Sequence, residues 1–377
     1  MWDQLVVGAA PGDAITKSAV LIREALAAHG PSEIYAQHLE PGLDSHVHPL
    51  HELPRRPNRD RPLIFHASIG SWPVHRAIVE NEQRLVLVYH NFSPPEYYAD
   101  IAPEIAGDLI RGRWELEQLR DRVELAFADS EYNAEELRVL GYRDVEVVAP
   151  TPDVDRLDRV VPDPDMLRRI DGWGPGPLVL CVAQQLPHKR VERVIAAVAV
   201  LQQEHEPDAR LAFVGVDRLA TYSRALRAMA RTVGLRDPQF LGRISDAELS
   251  ALYLRAAVFC TLSEHEGFCV PIVEAMATGV PVVAADRAAI PSTVGEAGIV
   301  VDDPDDPVLV AGLLAKVVRD GDLRRLLVGR GVGRARGMSA AHSLPRYLDA
   351  LLRHPTASRT VAELVASGEP LPAGVGR

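Results

Sequence analysis

Short apolar runs bounded by turn residues alternate with segments of helical periodicity along most of the chain. In the first part the apolar runs are continuous rather than alternating, as parallel strands covered on both faces require. We predict strands at residues 5–9, 63–67, 85–89 and 123–128, with an amphipathic helix over residues 14–29. These elements describe a first α/β unit.

The same pattern restarts after a segment rich in proline and glycine. Here we predict strands at residues 178–183, 211–214, 258–262, 280–284 and 299–301, and helices at residues 191–204, 220–233, 246–256 and 307–318. Strands that alternate with helices favour doubly wound parallel sheets, so the sequence predicts two such α/β domains in series.

The predicted domain boundaries follow from these two series. Residues 1–160 form the N-terminal domain, residues 161–176 a linker, and residues 177–340 the C-terminal domain. A helix at residues 341–355 is expected to pack back toward the N-terminal domain. The tail at residues 356–377, which is rich in Ser, Gly, Pro and Ala, is expected to be loosely ordered.

Composition excludes several classes of protein. A chain of 377 residues with 47% hydrophobic and 25% charged residues is long enough for two cores and is not mainly disordered. Its net charge of −11 disfavours nucleic acid as a partner. None of the three cysteines, Cys181, Cys260 and Cys269, lies in a C-x-x-C pair, so neither a disulfide framework nor a structural zinc site is indicated.

The hydropathy pattern also bears on location. No apolar run approaches the ~18 residues that a membrane-spanning helix requires. We therefore expect a cytoplasmic protein and leave peripheral contact with a membrane open. The sequence gives no indication of an oligomeric state.

The stretch at residues 263–281 is the most informative for chemistry. It follows an apolar strand, turns at Gly267, and continues into a predicted helix with Pro271 at its start, Glu274 in its first turn and Gly279 at its end. Loop amides and the positive end of a helix bind an anion such as a diphosphate. Glu266 and Glu274 would accept hydrogen bonds from the hydroxyl groups of a sugar or ribose, although two solvated acids at an ordinary helix start explain the spacing equally well.

A family resemblance arises from the same residues. Glu266 and Glu274 lie seven intervening residues apart within EHEGFCVPIVEAMATGVPVVAAD, which resembles the signature of the family 4 retaining glycosyltransferases. The resemblance extends to VAQQLPHKRVERVIAA, FLGRISDAELSALYLRA, VYHNFSPPEYY, DSEYNAEELRVLGY and GDAI, and covers residues 5 to 350 approximately. It points to a bacterial subgroup with a YHN-x-(S/T)-P segment. The implied fold is GT-B, an α/β architecture of two facing Rossmann-like domains with an interdomain cleft.

The resemblance implies roles for residues of the second domain. Glu274 would bond the ribose of the nucleotide, and Glu266 would bond the donor sugar. Lys189 matches the lysine that pairs with the diphosphate. The implied donor-binding set comprises Gln184, Lys189, Arg190, Glu266, Gly267, Phe268, Cys269, Val270 and Glu274, of which Lys189 and Glu266 are also implied to be catalytic.

This chain departs from the family pattern at three positions. The family usually has an arginine five residues before the lysine, and here that position is Gln184. A neutral amide does not supply the bidentate charge of arginine, so Arg190 or another cation would have to substitute. Cys269 stands where many members have glycine, and Ser292 stands where many have glutamate.

Residues of the first domain are implied on the acceptor side. His90 and Asn91 follow a predicted strand, and the resemblance gives His90 a catalytic role in contact with the donor sugar and the acceptor. Gly12 and Asp13 open the first helix, where their amides would face the cleft. Asp13 serves equally well as a helix cap.

The expected function is retaining transfer of a hexose from a nucleoside-diphosphate sugar to a hydroxyl acceptor, without a metal or other cofactor. One alternative is a nucleotide-sugar epimerase or hydrolase of the same fold, and another is a non-catalytic nucleotide-sugar-binding subunit. Three further segments are interpreted as solvated surface rather than as sites: the histidines at residues 46, 48 and 51, the basic segment at residues 329–336 after a helix, and Arg111, Arg113 and Trp114. For Arg111, Arg113 and Trp114, contact with a membrane or an acidic acceptor is the alternative.

Overall fold

A computed structural model describes residues 2–43, 45–54, 62–81, 83–150, 157 and 159–353. The chain divides into two compact units. The first draws on Met1–Phe92, Asp108–Thr151 and Ala340–Arg377, and the second on Ser93–Gly107 and Pro152–Ser339.

The first unit is built on a parallel sheet in the order β3-β2-β1-β4-β5-β6-β7. Its strands are β1 (Trp2–Ala9), β2 (Ser32–Leu39), β3 (Val47–Pro49), β4 (Leu63–Ala67), β5 (Leu85–Tyr89), β6 (Val123–Ala128) and β7 (Val145–Val147). Its helices are α1 (Ala14–Leu26), α2 (Trp72–Glu80), most of α3 (Pro103–Leu119), α4 (Glu131–Val139) and α13 (Ala340–Arg353).

The second unit has a parallel sheet in the order β10-β9-β8-β11-β12-β13. Its strands are β8 (Leu178–Val182), β9 (Arg210–Val214), β10 (Gln239–Gly242), β11 (Val258–Thr261), β12 (Val282–Ala285) and β13 (Gly298–Val301). Its helices are α5 (Pro164–Asp171), α6 (Val191–Glu204), α7 (Ala220–Thr232), α8 (Asp246–Arg255), α9 (Val270–Ala277), α10 (Ile290–Val294), α11 (Pro307–Arg319) and α12 (Gly321–Met338).

The predicted class of two doubly wound parallel sheets is therefore confirmed. In each sheet the order of strands reverses beside the first strand of the domain, at β1 and at β8, as in Rossmann-like folds. Ligands of such sheets bind beyond the carboxyl ends of the strands. The loops that leave β8 and β11 are neighbours at that edge, because the two strands pair directly.

The boundaries of the units differ from the predicted domains in two places. Residues 93–107 belong to the second unit, although the prediction placed them in the first domain. The predicted linker at residues 161–176 contains α5, which begins at a side-chain cap from Asp163 and buries Met166 and Ile170. The many prolines of this segment led the sequence analysis to predict a linker. Pro164 occupies the first position of the helix, where proline is favourable, so it begins the helix and does not interrupt it.

The last described helix, α13, belongs to the first unit. Its Tyr347, Ala350 and Leu351 are buried in one hydrophobic cluster with residues of β1, α1, β4, β5 and β6. Tyr347 stacks on Phe127 with ring centroids 4.0 Å apart. The predicted loose tail at residues 356–377 lies outside the described residues.

The basic segment at residues 329–336 was interpreted as following a helix, and this was wrong. It lies inside α12. A Cβ atom at Gly331 would lie 3.3–3.5 Å from Met276 of α9, so a small residue suits the close packing of these two helices. None of the helices in the described part of the chain is both long enough and apolar enough to span a membrane.

Candidate functional site

Two loops at the carboxyl edge of the second sheet are joined by their backbones. One loop follows β8 and contains a short 3-10 helix at Pro187–Lys189, and the other follows β11. The amide of Glu264 donates to the carbonyl oxygen of His188 at 2.8 Å. This bond fixes the position of Lys189 relative to the loop that carries Glu266.

Lys189 and Glu266 form an ion pair. The Nζ atom of Lys189 lies 2.7 Å from Oε2 of Glu266, and both side chains are mostly buried. The two residues predicted to be catalytic in this domain are thus brought together. A charge-assisted bond in a partly desolvated place is stronger than the same pair on the surface.

The loop between Glu266 and α9 is held in a constrained conformation. Cys269 has a φ of 72°, in the left-handed region that favours glycine, which is the residue many family members are expected to have there. The hydroxyl group of Thr293 donates to the carbonyl oxygen of Phe268 at 2.6 Å and ties the loop to α10. Burial raises the pKa of the Cys269 thiol well above its usual value, so this side chain is neutral.

Helix α9 begins at Val270, and its first amides complete the predicted anion-binding edge. Glu274 lies in the second turn of α9, not in the first turn as predicted. Its side chain is 4% exposed and accepts a hydrogen bond from the hydroxyl group of Tyr253 at 3.1 Å. Tyr253 comes from α8, so packing of this helix orients the Glu274 carboxylate.

The structure places Gln184 and Arg190 on the same loop as Lys189. Arg190 has a φ of 48°, and its guanidinium lies 3.2 Å from Glu192 and 3.8 Å from Asp305. Two carboxylates therefore share the charge of Arg190. Lys189 is the cation that contacts Glu266.

Buried Arg193 and its charged partners support the second loop, and sequence reasoning missed them. Arg193 of α6 lies 2.5 Å from Glu264 and binds both oxygens of Asp305 at 2.7 Å. Glu264 in turn accepts from Arg287 at 2.9 Å. A buried charge without a partner is costly, so breaking the pair of Arg193 and Glu264 would be unfavourable. Arg193 follows Lys189 in the chain and Glu264 precedes Glu266, so this pair holds the two loops together.

In the first domain the predicted acceptor-side residues lie at the carboxyl ends of β1 and β5. Asp13 caps α1, since its Oδ2 atom accepts from the amide of Thr16 at 2.9 Å, and Gly12 precedes it with a φ of 82°. Asn91, with a φ of 77°, donates from Nδ2 to Asn133 at 2.7 Å.

His90 contacts two residues that the sequence analysis did not select. Its Nδ1 atom lies 2.8 Å from Asp129, and its Nε2 atom lies 3.0 Å from Nδ1 of His66. The available signal was a histidine inside the otherwise apolar run of β4. The predicted contact of His90 with a substrate stays a prediction.

Glu115 of α3 is another buried polar group in the first domain. Its side chain accepts from the amide of Ser71, at the start of α2, at 3.1 and 3.2 Å. Burial raises the pKa of the Glu115 carboxyl from an ordinary 4.5 to about 7, against the opposing effect of the Ser71 amide. Between these two pH values the folded chain keeps a proton that the unfolded chain releases.

We expect Glu115→Gln to stabilise the first domain at high pH and not at low pH. The folded state binds the additional proton, so stability is lost as pH rises from about 4.5 to 7. The variant should gain about 2–3 kcal/mol at pH 8 and almost nothing at pH 4.5 in urea unfolding. Glu117→Gln, at an exposed position of the same helix, is the control. An equal gain at both pH values would show that the charge of Glu115 is not the cause.

The interpretation of the histidines at residues 46, 48 and 51 as solvated loop is wrong for His48, which lies half-buried in β3. His46 and His48 both contact Glu33, at 3.1 and 3.0 Å, and His48 also lies 3.6 Å from Glu52. Within the described ranges, no group of three or more His, Cys, Asp and Glu side chains is arranged to hold a metal ion.

Comparison with known proteins agrees with this geometry. Residues 167–331 match the family described as Glycosyl transferases group 1, which covers most of the second unit. Among solved structures, sucrose-phosphate synthase from Thermosynechococcus elongatus covers 95% of this chain and 100% of its own, with a TM-score of 0.73 at 19% identity. Anabaena HepE in complex with UDP-glucose covers 93% of this chain and 99% of its own, with a TM-score of 0.72 at 17% identity. The chain has the GT-B fold.

Curated relatives are similar over part of their length. A GDP-mannose-dependent alpha-(1-6)-phosphatidylinositol monomannoside mannosyltransferase of Mycolicibacterium smegmatis is 36% identical over 41% of this chain and 42% of its own length. A D-inositol 3-phosphate glycosyltransferase of Actinosynnema mirum is 30% identical over 59% of this chain and 56% of its own length. The chain thus spans about half the length of these relatives.

Proposed function

We propose that this protein is a glycosyltransferase that moves a hexose from a nucleoside-diphosphate sugar to a hydroxyl acceptor, with retention at the anomeric carbon. The observation that carries the proposal is the Lys189–Glu266 pair at the start of α9, inside the segment that matches the group 1 glycosyl transferases. We also place the chain in the subgroup with a YHN-x-(S/T)-P segment, on residues 89–94. A cytoplasmic location stays a prediction.

The proposed division of labour follows the charges. Departure of the diphosphate builds negative charge, which fixed donors near the leaving group stabilise. Lys189 would supply the cation, and the amides of Gly267, Phe268 and Val270 would supply neutral donors. Glu266 would exchange part of its contact with Lys189 for hydroxyl groups of the sugar.

The neutral side chain of Gln184 makes Lys189 more important in this proposal. Arg190 faces Glu192 and Asp305, which argues against Arg190 as a replacement for the usual arginine. The same feature favours the alternative of a non-catalytic nucleotide-sugar-binding subunit. Release of nucleoside diphosphate separates the two functions.

The test is a donor screen that measures release of nucleoside diphosphate with and without hydroxyl acceptors. GDP-mannose and UDP-glucose come first, because the names of similar proteins mention them. Acceptor-dependent release supports transfer, and NMR of the product reports the anomeric configuration. Release with water alone would indicate a hydrolase, binding without release would indicate a subunit, and inactivation by EDTA would contradict metal independence.

For Glu274→Ala we expect affinity for the nucleoside diphosphate to fall by about 1–3 kcal/mol, the scale for loss of a buried hydrogen-bonding partner. Calorimetry measures this loss directly. Glu296→Ala, at an exposed position of the same domain, is the control. Tyr253→Phe removes the hydroxyl group that contacts Glu274. If Tyr253→Phe alone weakened binding as much as Glu274→Ala, the role of Glu274 would be structural rather than direct.

Peripheral contact with a membrane is a second part of the proposal. Trp72, Ile110 and Trp114 of the first domain are 55%, 59% and 43% exposed, and the two indole rings lie 6.2 Å apart. Exposed tryptophans beside an aliphatic side chain are typical of residues at the membrane–water interface. Co-sedimentation with lipid vesicles should therefore fall in the double variant Trp72→Ala/Trp114→Ala and be unchanged in Tyr132→Ala, at another exposed aromatic position. Equal sedimentation of the wild type, the double variant and Tyr132→Ala would contradict this contact.

A further inference from the structure

A chain of hydrogen-bonding side chains crosses the first domain from α1 to the end of β6. Gln4 donates from Nε2 to the carbonyl oxygen of Ala19 at 2.9 Å, and its Oε1 atom lies 2.9 Å from Nε2 of His66. Nδ1 of His66 lies 3.0 Å from Nε2 of His90, and Nδ1 of His90 lies 2.8 Å from Oδ2 of Asp129. The five groups form one continuous path.

The carbonyl group at one end fixes the direction of the first bonds. A backbone carbonyl accepts only, so the amide nitrogen of Gln4 faces Ala19 and its oxygen faces His66. An amide oxygen also accepts only. His66 therefore carries a proton on Nε2.

The protons of the two imidazoles can now be counted. Three contacts involve the rings, namely Gln4–His66, His66–His90 and His90–Asp129, and each requires one proton. Two neutral imidazoles hold two protons. Both ends of the path only accept, so all three protons must come from the rings. The three contacts therefore need one proton more than two neutral rings supply.

The surroundings of His66 locate this additional proton. His66 is completely buried, and burial together with the neighbouring His90 lowers its pKa well below the usual value. His66 is thus neutral and accepts at Nδ1, so His90 donates from Nε2. The remaining proton lies between Nδ1 of His90 and Asp129, where the imidazole is the more basic partner.

We propose that His90 is held as an imidazolium, paired with the Asp129 carboxylate and oriented by neutral His66. Two titratable groups of the described residues near this pair do not compete for its charge. The pKa of Tyr347, from α13, is raised well above its usual value by burial and by Asp129, so its hydroxyl group is neutral. Glu136, beyond Asn91, is paired with Arg113 at 2.7 Å.

The protonation state decides what His90 does in transfer, a consequence that rests on the proposed function. An imidazolium has no lone pair and does not accept the proton of an incoming hydroxyl group. His90 would instead donate its Nε2 proton to an oxygen atom of the substrate, and this bond would replace its hydrogen bond to His66. His66 is then a positioning residue, and His90 is not a general base.

Nitrogen NMR of the full chain with ring-labelled histidine tests the protonation state without any substrate. At pH 7.5 we expect the signals of an imidazole with both nitrogens protonated, which should disappear in His90→Gln, and the signals of a neutral ring with its proton on Nε2, which should disappear in His66→Gln. In Asp129→Asn at pH 7.5 we expect the signals of a doubly protonated His90 to be lost, because the carboxylate 2.8 Å from its Nδ1 atom is gone.

The outcomes separate the inference from the proposed function. A neutral His90 in the wild-type spectrum at pH 7.5 would overturn the inference, and this result needs no variant beyond those that assign the signals. A doubly protonated His90 in Asp129→Asn at pH 7.5 would overturn the pairing. If transfer is found, kcat/KM should be constant between pH 6 and 8. If His90 were a general base, kcat/KM would rise over this range. Absence of transfer would defeat the proposed function and leave the spectra as they are.

Discussion

Lys189→Met is expected to lower the rate of donor cleavage at least about 100-fold, the range for removal of one fixed donor to a developing negative charge. The variant removes the cation 2.7 Å from Glu266 and leaves that carboxylate unpaired. The free carboxylate would then repel the incoming diphosphate, so both binding and turnover should fall. Release of nucleoside diphosphate measures turnover, and calorimetry measures binding.

The chain offers a matched control for this variant. Lys316→Met makes the same change at an exposed position of α11, in the same domain, and should leave the rate unchanged. Gln184→Arg added to Lys189→Met should restore part of the activity, since it places a cation where the family usually has one. Wild-type activity in Lys189→Met would remove the assignment of charge stabilisation to this loop.

Gly215→Ala is expected to destabilise the second domain by about 3 kcal/mol or more, because the new side chain cannot be accommodated without a backbone shift. Gly215 follows β9, and a Cβ atom there would lie 1.6 Å from the carbonyl oxygen of Ala183. Ala183 precedes the loop that carries Lys189, so the shift would also disturb the candidate site. The melting temperature of the domain should fall by roughly 6–12 °C.

Gly312→Ala is the control for this change. Gly312 lies inside α11, and a Cβ atom there would have no neighbour within 4 Å among the described residues outside its own helix backbone. Alanine is the better helix former, so this variant should be more stable by about 0.5–1 kcal/mol. Equal melting temperatures for Gly215→Ala and wild type would show that β8 and β9 do not approach each other this closely.

Strands buried on both faces were predictable from the sequence, and strands that contain several polar residues were not. Runs such as those of β4, β5 and β6 are almost wholly apolar, and their predicted bounds agree with the structure. Strand β2 carries Ser32, Glu33, Gln37 and His38, which hid it, although it pairs with β1 and β3. Strand β10 is an edge strand of four residues. Edge strands need fewer apolar residues and leave a weaker pattern.

The candidate site shows a similar limit. The loop from Glu266 to Glu274 is local, so its order of strand, turn and helix was predictable. Lys189 was selected only through resemblance, because 77 positions separate it from Glu266. The pairing of Arg193 with Asp305 spans 112 positions and had no sequence signal. A histidine in an apolar strand could have drawn attention to His66, but its partner Gln4 belongs to another strand.

Helix α13 affects how the protein is made on the ribosome. The surface that Tyr347 and Leu351 cover includes Trp2 and Ile22, which precede the second sheet in the chain. All of the second sheet is translated in between. The 325 positions from Ile22 to Tyr347 take roughly 16–65 s at ~5–20 residues per second. For that time α13 does not cover the apolar surface of the first domain, so we expect the nascent chain to bind chaperones until α13 emerges.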